Sequence, residues 1–285
     1  MNSHFSADPL DQLAAFIERH RRVCVLTGAG ISTDSGIPDY RDANGDWKRQ
    51  QPIRYQEFIG SEPNRRRYWA RSWFGWPRFA SAQPNLAHQA LVRLETAGFV
   101  EHIITQNVDG LHQQAGSRQV IDLHGRLDAV ICLECPYQGA REAYQTVLTE
   151  SNPTFTARVA TLGPDGDADL DDAAYADFRV PGCPACGGLL KPGVVFFGEA
   201  VPKSRVEQAY QWLAAAEALL VIGSSLTVLS GYRFCMAATA NGQPIAALNL
   251  GRTRADPELT LKVNRPCGPT LSSLVERLAL RAYSP

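Results

Sequence analysis

Two pairs of cysteines carry the most specific chemical signal in the sequence: Cys132-Leu-Glu-Cys135 and Cys183-Pro-Ala-Cys186. Each pair sets two thiolates on one tight turn, and two such turns complete a tetrahedral sulfur shell with no open position, which is the form of a structural zinc site. The 47 residues between Cys135 and Cys183 exceed what a simple zinc ribbon needs, so the intervening chain belongs to the same module. Gly187-Gly188 follows the second pair and suits a knuckle with unusual backbone angles. Cys24, Cys235 and Cys267 stand alone, and this distribution of seven cysteines favours metal ligation over a disulfide framework. The plainer alternative is two redox pairs or four unrelated buried thiols. The acidic run Asp165, Asp167, Asp169, Asp171 and Asp172 invites a calcium reading, but Leu170 and Ala176 stand where a loop of that type needs Gly and Glu. A solvated acidic loop is the better account.

A second constellation begins at Gly28-Ala29-Gly30, directly after the apolar run Val23-Cys24-Val25-Leu26. Glycines there let backbone N–H groups approach a pyrophosphate closely, with a helix N-terminus behind them supplying partial positive charge. The third glycine of a dinucleotide fingerprint is missing, with Thr33 in its place, so a plain tight turn stays open as an alternative. The continuation Ile31-Ser32-Thr33-Asp34-Ser35-Gly36-Ile37-Pro38-Asp39-Tyr40-Arg41 is too polar and too rich in Gly and Pro for an ordinary helix. It offers hydroxyls, a carboxylate and a guanidinium to a ligand.

These residues need elements to hold them. Asp8-Pro9 reads as an N-cap and first-turn proline, with Leu10, Leu13, Phe16 and Ile17 at helical spacing and basic residues from Arg19 to Arg22 at the end. Short apolar runs like that at Val23 recur at Val100–Thr105, Ala218–Ile222 and Ile245–Leu248, each ending in small or amide residues. Helical patterns lie between them: Ala87, Ala90, Leu91 and Leu94 closed by Gly98, and Val206, Tyr210 and Leu213. Leu271, Leu274, Val275 and Leu278 predict a closing helix. Alternating strands and helices imply an α/β layer with a mostly parallel sheet whose ligands gather at the carboxyl ends of the strands. The segment 132–192 breaks the rhythm and reads as a small inserted module, while 42–83, rich in Arg and Trp, reads as a helical lid.

Bulk properties exclude several classes. With 285 residues, 45% hydrophobic and 20% charged, the chain suits a folded globular enzyme with room for a second small module. The net charge of -1 gives no general pull towards nucleic acid or anionic lipid, and the surroundings of the cysteine pairs are acidic, so no direct nucleic acid binding is expected. No apolar run approaches the roughly 18 residues of a bilayer span. No basic-then-apolar leader is seen, and Asp8 and Asp11 are unlike a transit peptide, so the expected location is cytoplasmic.

Taken together, Gly28–Arg41, Thr105-Gln106-Asn107-Val108-Asp109, His124-Gly125, the two cysteine pairs, Lys191-Pro192-Gly193-Val194-Val195-Phe196-Phe197-Gly198-Glu199, Gly223-Ser224-Ser225 and Asn249 resemble the sirtuin (Sir2) family in order and spacing over roughly residues 10–280. Arg67-Tyr68-Trp69-Ala70-Arg71 and Ser230-Gly231-Tyr232-Arg233-Phe234 resemble the class II branch, most of all the sirtuin 4 type. The resemblance implies a Rossmann-like, mostly parallel sheet with helices on both faces (1–41, 84–128 and 193–285), the lid at 42–83 and a zinc module at 129–192. It implies NAD as a consumed co-substrate, one structural zinc ion, and acyl-lysine proteins as substrates of a protein deacylase expected to be monomeric. Gly28, Ala29, Gly30, Asp39, Tyr40 and Arg41 would lie along the phosphates and nicotinamide ribose, with Ile31, Thr33, Ile37 and Pro38 from the same run. Gln106, Asn107, Val108 and Asp109 would line the nicotinamide side, and Gly223, Ser224, Ser225, Asn249, Leu250, Gly251 and Cys267 the adenosine half.

The implied reaction starts when the acyl oxygen attacks the nicotinamide ribose and expels nicotinamide. Asn107 and Asp109 would position the reactants, while Ile31, Ile37 and Phe196 exclude water. His124 would be the general base, since an imidazole can take a proton from a ribose hydroxyl near neutral pH. A lone histidine is otherwise more often a core residue. Val194 to Phe197, with Gly198 and Glu199, would pair edgewise with an extended peptide, although the same run also reads as a core strand. Tyr68 and Arg71, three apart on a helix, resemble a pair that binds acidic acyl groups, against the simpler reading of a solvated basic face with Arg65, Arg66 and Arg67. Mono-ADP-ribosyl transfer from the same NAD site is the rival activity. Hydride transfer is disfavoured, because no acidic residue sits at a second strand end about 20 residues beyond the glycines.

Overall fold

The computed structural model describes residues 8–40, 42, 46, 48, 52–155 and 175–278. Arg41 and the acidic run at 165–172 lie outside the described residues.

In chain order the first elements are α1 (Pro9–Arg19), β1 (Val23–Thr27), α2 (Tyr55–Gly60), α3 (Glu62–Ala80), α4 (Leu86–Thr96), β2 (Val100–Thr105), α5 (Leu111–Ala115) and β3 (Val120–Asp122). Next come β4 (Gly125–Cys132), β5 (Gln138–Ala140), α6 (Arg141–Ser151) and β6 (Leu190–Val194). The chain closes with α7 (Lys203–Ala215), β7 (Ala218–Ile222), α8 (Leu229–Ala240), β8 (Ile245–Leu248), β9 (Leu261–Val263) and α9 (Cys267–Arg277).

Six strands form one sheet in the order β3-β2-β1-β7-β8-β9, parallel at every neighbouring pair. Strand alternation sends Val23 and Val25 to one face, where they join α1, α4 and α9 in a core with Leu91, Leu94, Leu271 and Leu274. Cys24 and Leu26 point to the other face, against Leu213 of α7 and Phe234 of α8. On α7 the buried positions are Ala209 and Leu213, while Tyr210, expected inside, remains 37% exposed with its ring 5.1 Å from that of Phe234. The chain leaves β1 towards β2 on one side and β7 on the other, so the strand order reverses there, which is where an open parallel sheet leaves a crevice.

The second lobe is a three-stranded antiparallel sheet, β5-β4-β6, spanning residues 125–194 and so reaching past the 129–192 segment at both ends. Its core takes Phe58 from α2, Trp69, Trp76 and Phe79 from α3, Tyr144 and Leu148 from α6, and Cys132 and Cys183. Three indole N–H groups fasten α3 to this lobe: Trp69 to the Leu190 carbonyl (3.3 Å), Trp73 to Thr149 Oγ1 (2.8 Å) and Trp76 to Glu142 Oε2 (2.7 Å). The expected lid is therefore, over its described helices, an integral wall of the small lobe. Among the described residues, no helix is long and apolar enough to cross a membrane.

Candidate functional site

β1 and β7 end side by side, and their loops interlock at the reversal point. The Gly28 N–H donates to the Ile222 carbonyl (3.1 Å) and the Gly30 N–H to the Gly223 carbonyl (2.8 Å). A Cβ on Gly28 would stand 2.7 Å from Ser224 Cβ, and one on Gly30 would stand 2.9 Å from the Gly223 oxygen. These glycines exist for loop-on-loop approach, and their N–H groups are committed inside the protein. The expectation from sequence, which gave the N–H groups of Gly28-Ala29-Gly30 and a helix behind them to a pyrophosphate, is corrected for the Gly28 and Gly30 N–H groups and for the helix. Instead of a helix, the chain makes a pair of short 3₁₀ turns, Ala29–Ile31 and Thr33–Ser35, ended by Gly36 in the left-handed region at φ 81°.

Beyond β2 the chain turns into the same crevice. Asn107 Nδ2 donates to the Gly28 carbonyl and to Ser32 Oγ, both at 3.1 Å, and Ser32 Oγ donates to Asp109 Oδ2 at 2.7 Å. The Leu111 N–H holds the other Asp109 oxygen at 2.9 Å. Burial raises the Asp109 carboxyl above the ordinary range, against the lowering effect of the Leu111 N–H, the Ser32 hydroxyl and the Arg126 guanidinium.

His124 stands between β3 and β4. Its Nδ1 lies 2.9 Å from the Gln106 carbonyl and its Nε2 lies 2.8 Å from Ser230 Oγ. A carbonyl only accepts, so Nδ1 carries the proton and Nε2 is the lone-pair nitrogen, an assignment made from the bonding pattern. Burial lowers its pKa to about 4; the Gln106 contact works the other way, and the positive charges of Arg205 and Arg233 add to the lowering. The imidazole is neutral at pH 7 and able to accept.

The crevice deepens into a cavity of about 490 Å³ between the two lobes, within the size range of small-molecule sites. Of the residues expected from sequence, Gly28, Ala29, Gly30, Ile37, Asp39 and Tyr40 line it, as do Gln106 to Asp109 and His124. So do Gly223, Ser224, Ser225, Asn249 and Leu250 at one end, and Tyr68 with Val195 to Glu199 at the other. Ile31, Thr33, Pro38, Gly251, Cys267 and Arg71 are not in its wall. Ile31 is 1% exposed in the main core, Gly251 gives its N–H to Asn264 Oδ1, and the Cys267 sulfur faces the Leu248 carbonyl at 3.9 Å. Tyr68 is buried edge-on against Phe58, Trp69 and Phe196, and with Phe79 and Ile53 it makes the cavity's small-lobe end aromatic and apolar. Val195 and Phe197 are already part-used as a pairing edge, by the His124 carbonyl and the Tyr55 N–H.

Sequence reasoning missed Ser32, Ser230, Lys48 and Arg252 as wall residues. Ser32 lay inside the quoted Gly28–Arg41 run and could have been found there. Lys48 was recognisable only through its ion pair with Asp39 at 2.5 Å.

The ligand atoms of Cys132, Cys135, Cys183 and Cys186 lie within 4.8 Å of one another, with Cys132 to Cys186 at 3.5 Å and Cys135 to Cys183 at 3.7 Å. Disulfides would need about 2.05 Å, whereas a tetrahedron of about 2.3 Å zinc–sulfur bonds has edges near 3.8 Å. The cluster is consistent with one structural zinc ion. Glu134 and Gly188 give backbone N–H groups to two of the sulfurs. Cys132 ends β4 while His124 precedes its start, which puts on the order of 25 Å of strand between the two. Held there by the four cysteines, such an ion would cross-link the small lobe and take no direct part in chemistry at His124.

Comparison with known proteins gives a consistent picture. The Sir2 family model matches residues 28–230. The chain is 60% identical over 262 residues to an NAD-dependent protein deacetylase of Xanthomonas axonopodis pv. citri, covering 92% of this chain and 89% of that one. It is 56% identical to another from Bordetella bronchiseptica, over 93% and 97% of the two chains. Among solved structures, a Sir2 complex with a p53 peptide and NAD+ superposes with a TM-score of 0.75 at 30% identity, covering 95% and 99% of the chains. A Sir2 protein bound to acetylated peptide gives 0.73 at 28% identity, again over 95% and 99%.

Proposed function

We infer, from the premise that this chain belongs to the Sir2 family and is an NAD-dependent protein deacetylase, that His124 is its general base and that the inter-lobe cavity seats both co-substrates. The observation that carries this reading is the imidazole itself: neutral, anchored through Nδ1 to the Gln106 carbonyl, with Nε2, the nitrogen that keeps its lone pair, at the cavity wall beside the Ser230 hydroxyl. NAD would lie with its adenosine half near Ser224, Ser225, Asn249 and Leu250, and its nicotinamide ribose near Asn107, Asp109 and His124. Bound there, it supplies an electrophilic ribose carbon whose leaving group is nicotinamide.

The chain's own residues then divide the work. The Ser32–Asn107–Asp109 network fixes polar groups where charge develops, so little reorganisation is needed during the reaction. Ile37, Phe196 and Tyr68 exclude water from the acyl-lysine end. His124 takes the proton from a ribose hydroxyl, whose oxygen bonds to the acyl carbon. The carbon–nitrogen bond then breaks and lysine leaves with a proton, and a water molecule entering after lysine has left adds to the acyl carbon to give O-acyl-ADP-ribose. The peptide backbone would lie along Val195 to Glu199, using the hydrogen-bonding groups that Tyr55 and His124 leave open.

A finer assignment to the class II branch, and within it to the sirtuin 4 type, is favoured by Tyr68 in the cavity wall, where it can meet the far end of an acyl chain. Arg71 is half-buried outside that wall, so an acidic acyl group would engage it only by reaching past Tyr68.

The test is a panel of acetyl, longer acyl and dicarboxylic acyl-lysine peptides with NAD, following nicotinamide and peptide mass. We expect acyl loss matched by nicotinamide release and O-acyl-ADP-ribose, and no lysine release by His124→Ala. ADP-ribose attached to protein without lysine release would replace this reading with the transferase. Arg71→Ala should lower activity on dicarboxylic acyl peptides alone; an equal fall on acetyl peptides removes the selective role.

A further inference from the structure

The general-base role of His124 needs the Nε2 lone pair, and in this structure that lone pair is taken. Because the Gln106 carbonyl receives the Nδ1 proton, Ser230 Oγ at 2.8 Å must be the donor and Nε2 the acceptor. This is the only hydrogen bond that the Ser230 side chain makes among the described residues.

The contact is built rather than incidental. Ser230 is the second residue of α8, and the loop that delivers it is fixed by Leu226 in the left-handed region at φ 57°, where a non-glycine residue carries a conformational penalty. The Leu226 N–H is tied to Ser224 Oγ at 3.2 Å, and the same Ser224 oxygen accepts from Gln106 Nε2 at 2.8 Å. The residue whose carbonyl orients Nδ1 thus also braces the loop that caps Nε2. Ser230 lines the cavity, half-buried, and one side-chain torsion is enough to move its hydroxyl away.

We propose that Ser230 is a positioning residue that holds the basic nitrogen of His124 closed, so that a ribose hydroxyl of the bound nucleotide engages Nε2 only by displacing the serine. The inference rests on the base role of His124. No covalent bond to Ser230 forms; the proton passes from the ribose oxygen to Nε2 once the serine hydroxyl has turned aside. The cost of that exchange falls on acyl transfer and not on the departure of nicotinamide, which does not use the lone pair.

The experiment compares two rates in each sample of the full chain with an acetyl-lysine peptide: exchange of labelled nicotinamide into NAD, and release of deacetylated peptide. Taking their ratio cancels any unfolded fraction. Ser230→Ala should raise the ratio of deacetylation to exchange about fivefold, the worth of one neutral hydrogen bond, and Ser230→Thr, which keeps the hydroxyl, should give a ratio below the alanine variant. If His124→Ala loses deacetylation but retains exchange, the base role stands; an equal loss of both removes it. With the base role standing, an unchanged or lower ratio in Ser230→Ala overturns the proposal.

Discussion

At the scale of single residues, the site depends on side chains that serve one another before they serve a ligand. Ser32 is fully buried and bridges Asn107 Nδ2 to Asp109 Oδ2. Ser32→Ala would leave a buried carboxylate oxygen short of a donor, at a cost of about 1–3 kcal/mol where the network is needed. We expect kcat for deacetylation to fall by about tenfold. Because the lost hydroxyl stabilised the charged form, the Asp109 pKa, already raised by burial, rises further. The acid limb of the kcat profile should therefore move to higher pH, and an unmoved limb would show that Asp109 does not act ionised. The cysteines were legible in the sequence because both members of each pair lie on one turn. Ser230 was not, since its partner lies 106 positions away and only the fold brings them together. The purpose of Gly28 and Gly30 was misread for the same reason: what crowds them is Gly223 and Ser224, on another strand's loop.

At the scale of elements, the peptide-side wall is held by a buried ion pair. Lys191 on β6 is 2% exposed; its ammonium meets Glu199 Oε2 at 2.9 Å and also donates to the Val194 carbonyl. The same carboxylate oxygen accepts from the Phe196 N–H at 2.9 Å, so one group fixes both the cation and the bend after β6. Glu199→Ala strands a cation among the rings of Phe196 and Tyr55, and we expect a loss of about 3–5 kcal/mol in urea unfolding. Adding Lys191→Met should recover most of that stability but not the affinity for acetyl-lysine peptide, because the Phe196 N–H stays unheld. If the double variant binds peptide normally, the pair is only a packing device. The strands and amphipathic helices of the parallel sheet could be read from periodicity, as at β1, β2, β7, β8, α4 and α9. The tie of α3 to the small lobe could not, because it depends on Trp69, Trp73 and Trp76 finding acceptors on β6 and α6.

For the whole molecule, the interior next to the crevice is rich in neutral imidazole. Burial pushes His88 down to about 4, His112 to about 3 with help from His88, and His124 to about 4. In the unfolded chain each would titrate near 6.5. Below that pH the unfolded state binds protons that the native state refuses, so stability present above pH 6.5 is lost as pH falls towards 4. Each such histidine costs up to about 1.4 kcal/mol per pH unit in that window. Asp109 and Asp122, raised by burial, act in the opposite sense, since their native carboxyls take up protons before the unfolded ones do. Two raised carboxyls offset the three histidines only in part, and only as pH approaches their own range. His112 gives the clearest measurement, because it lies 2.9 Å from Thr27 Oγ1 behind the site and is 1% exposed. Urea unfolding from pH 7.5 to 5 should show stability falling with acid, and His112→Gln should reduce the slope between pH 6 and 5 by about 1.4 kcal/mol per pH unit. Comparison at each pH cancels the loss of zinc that acid also promotes. An identical slope in the two proteins would mean that His112 is charged in the native fold, contrary to its burial beneath the crevice.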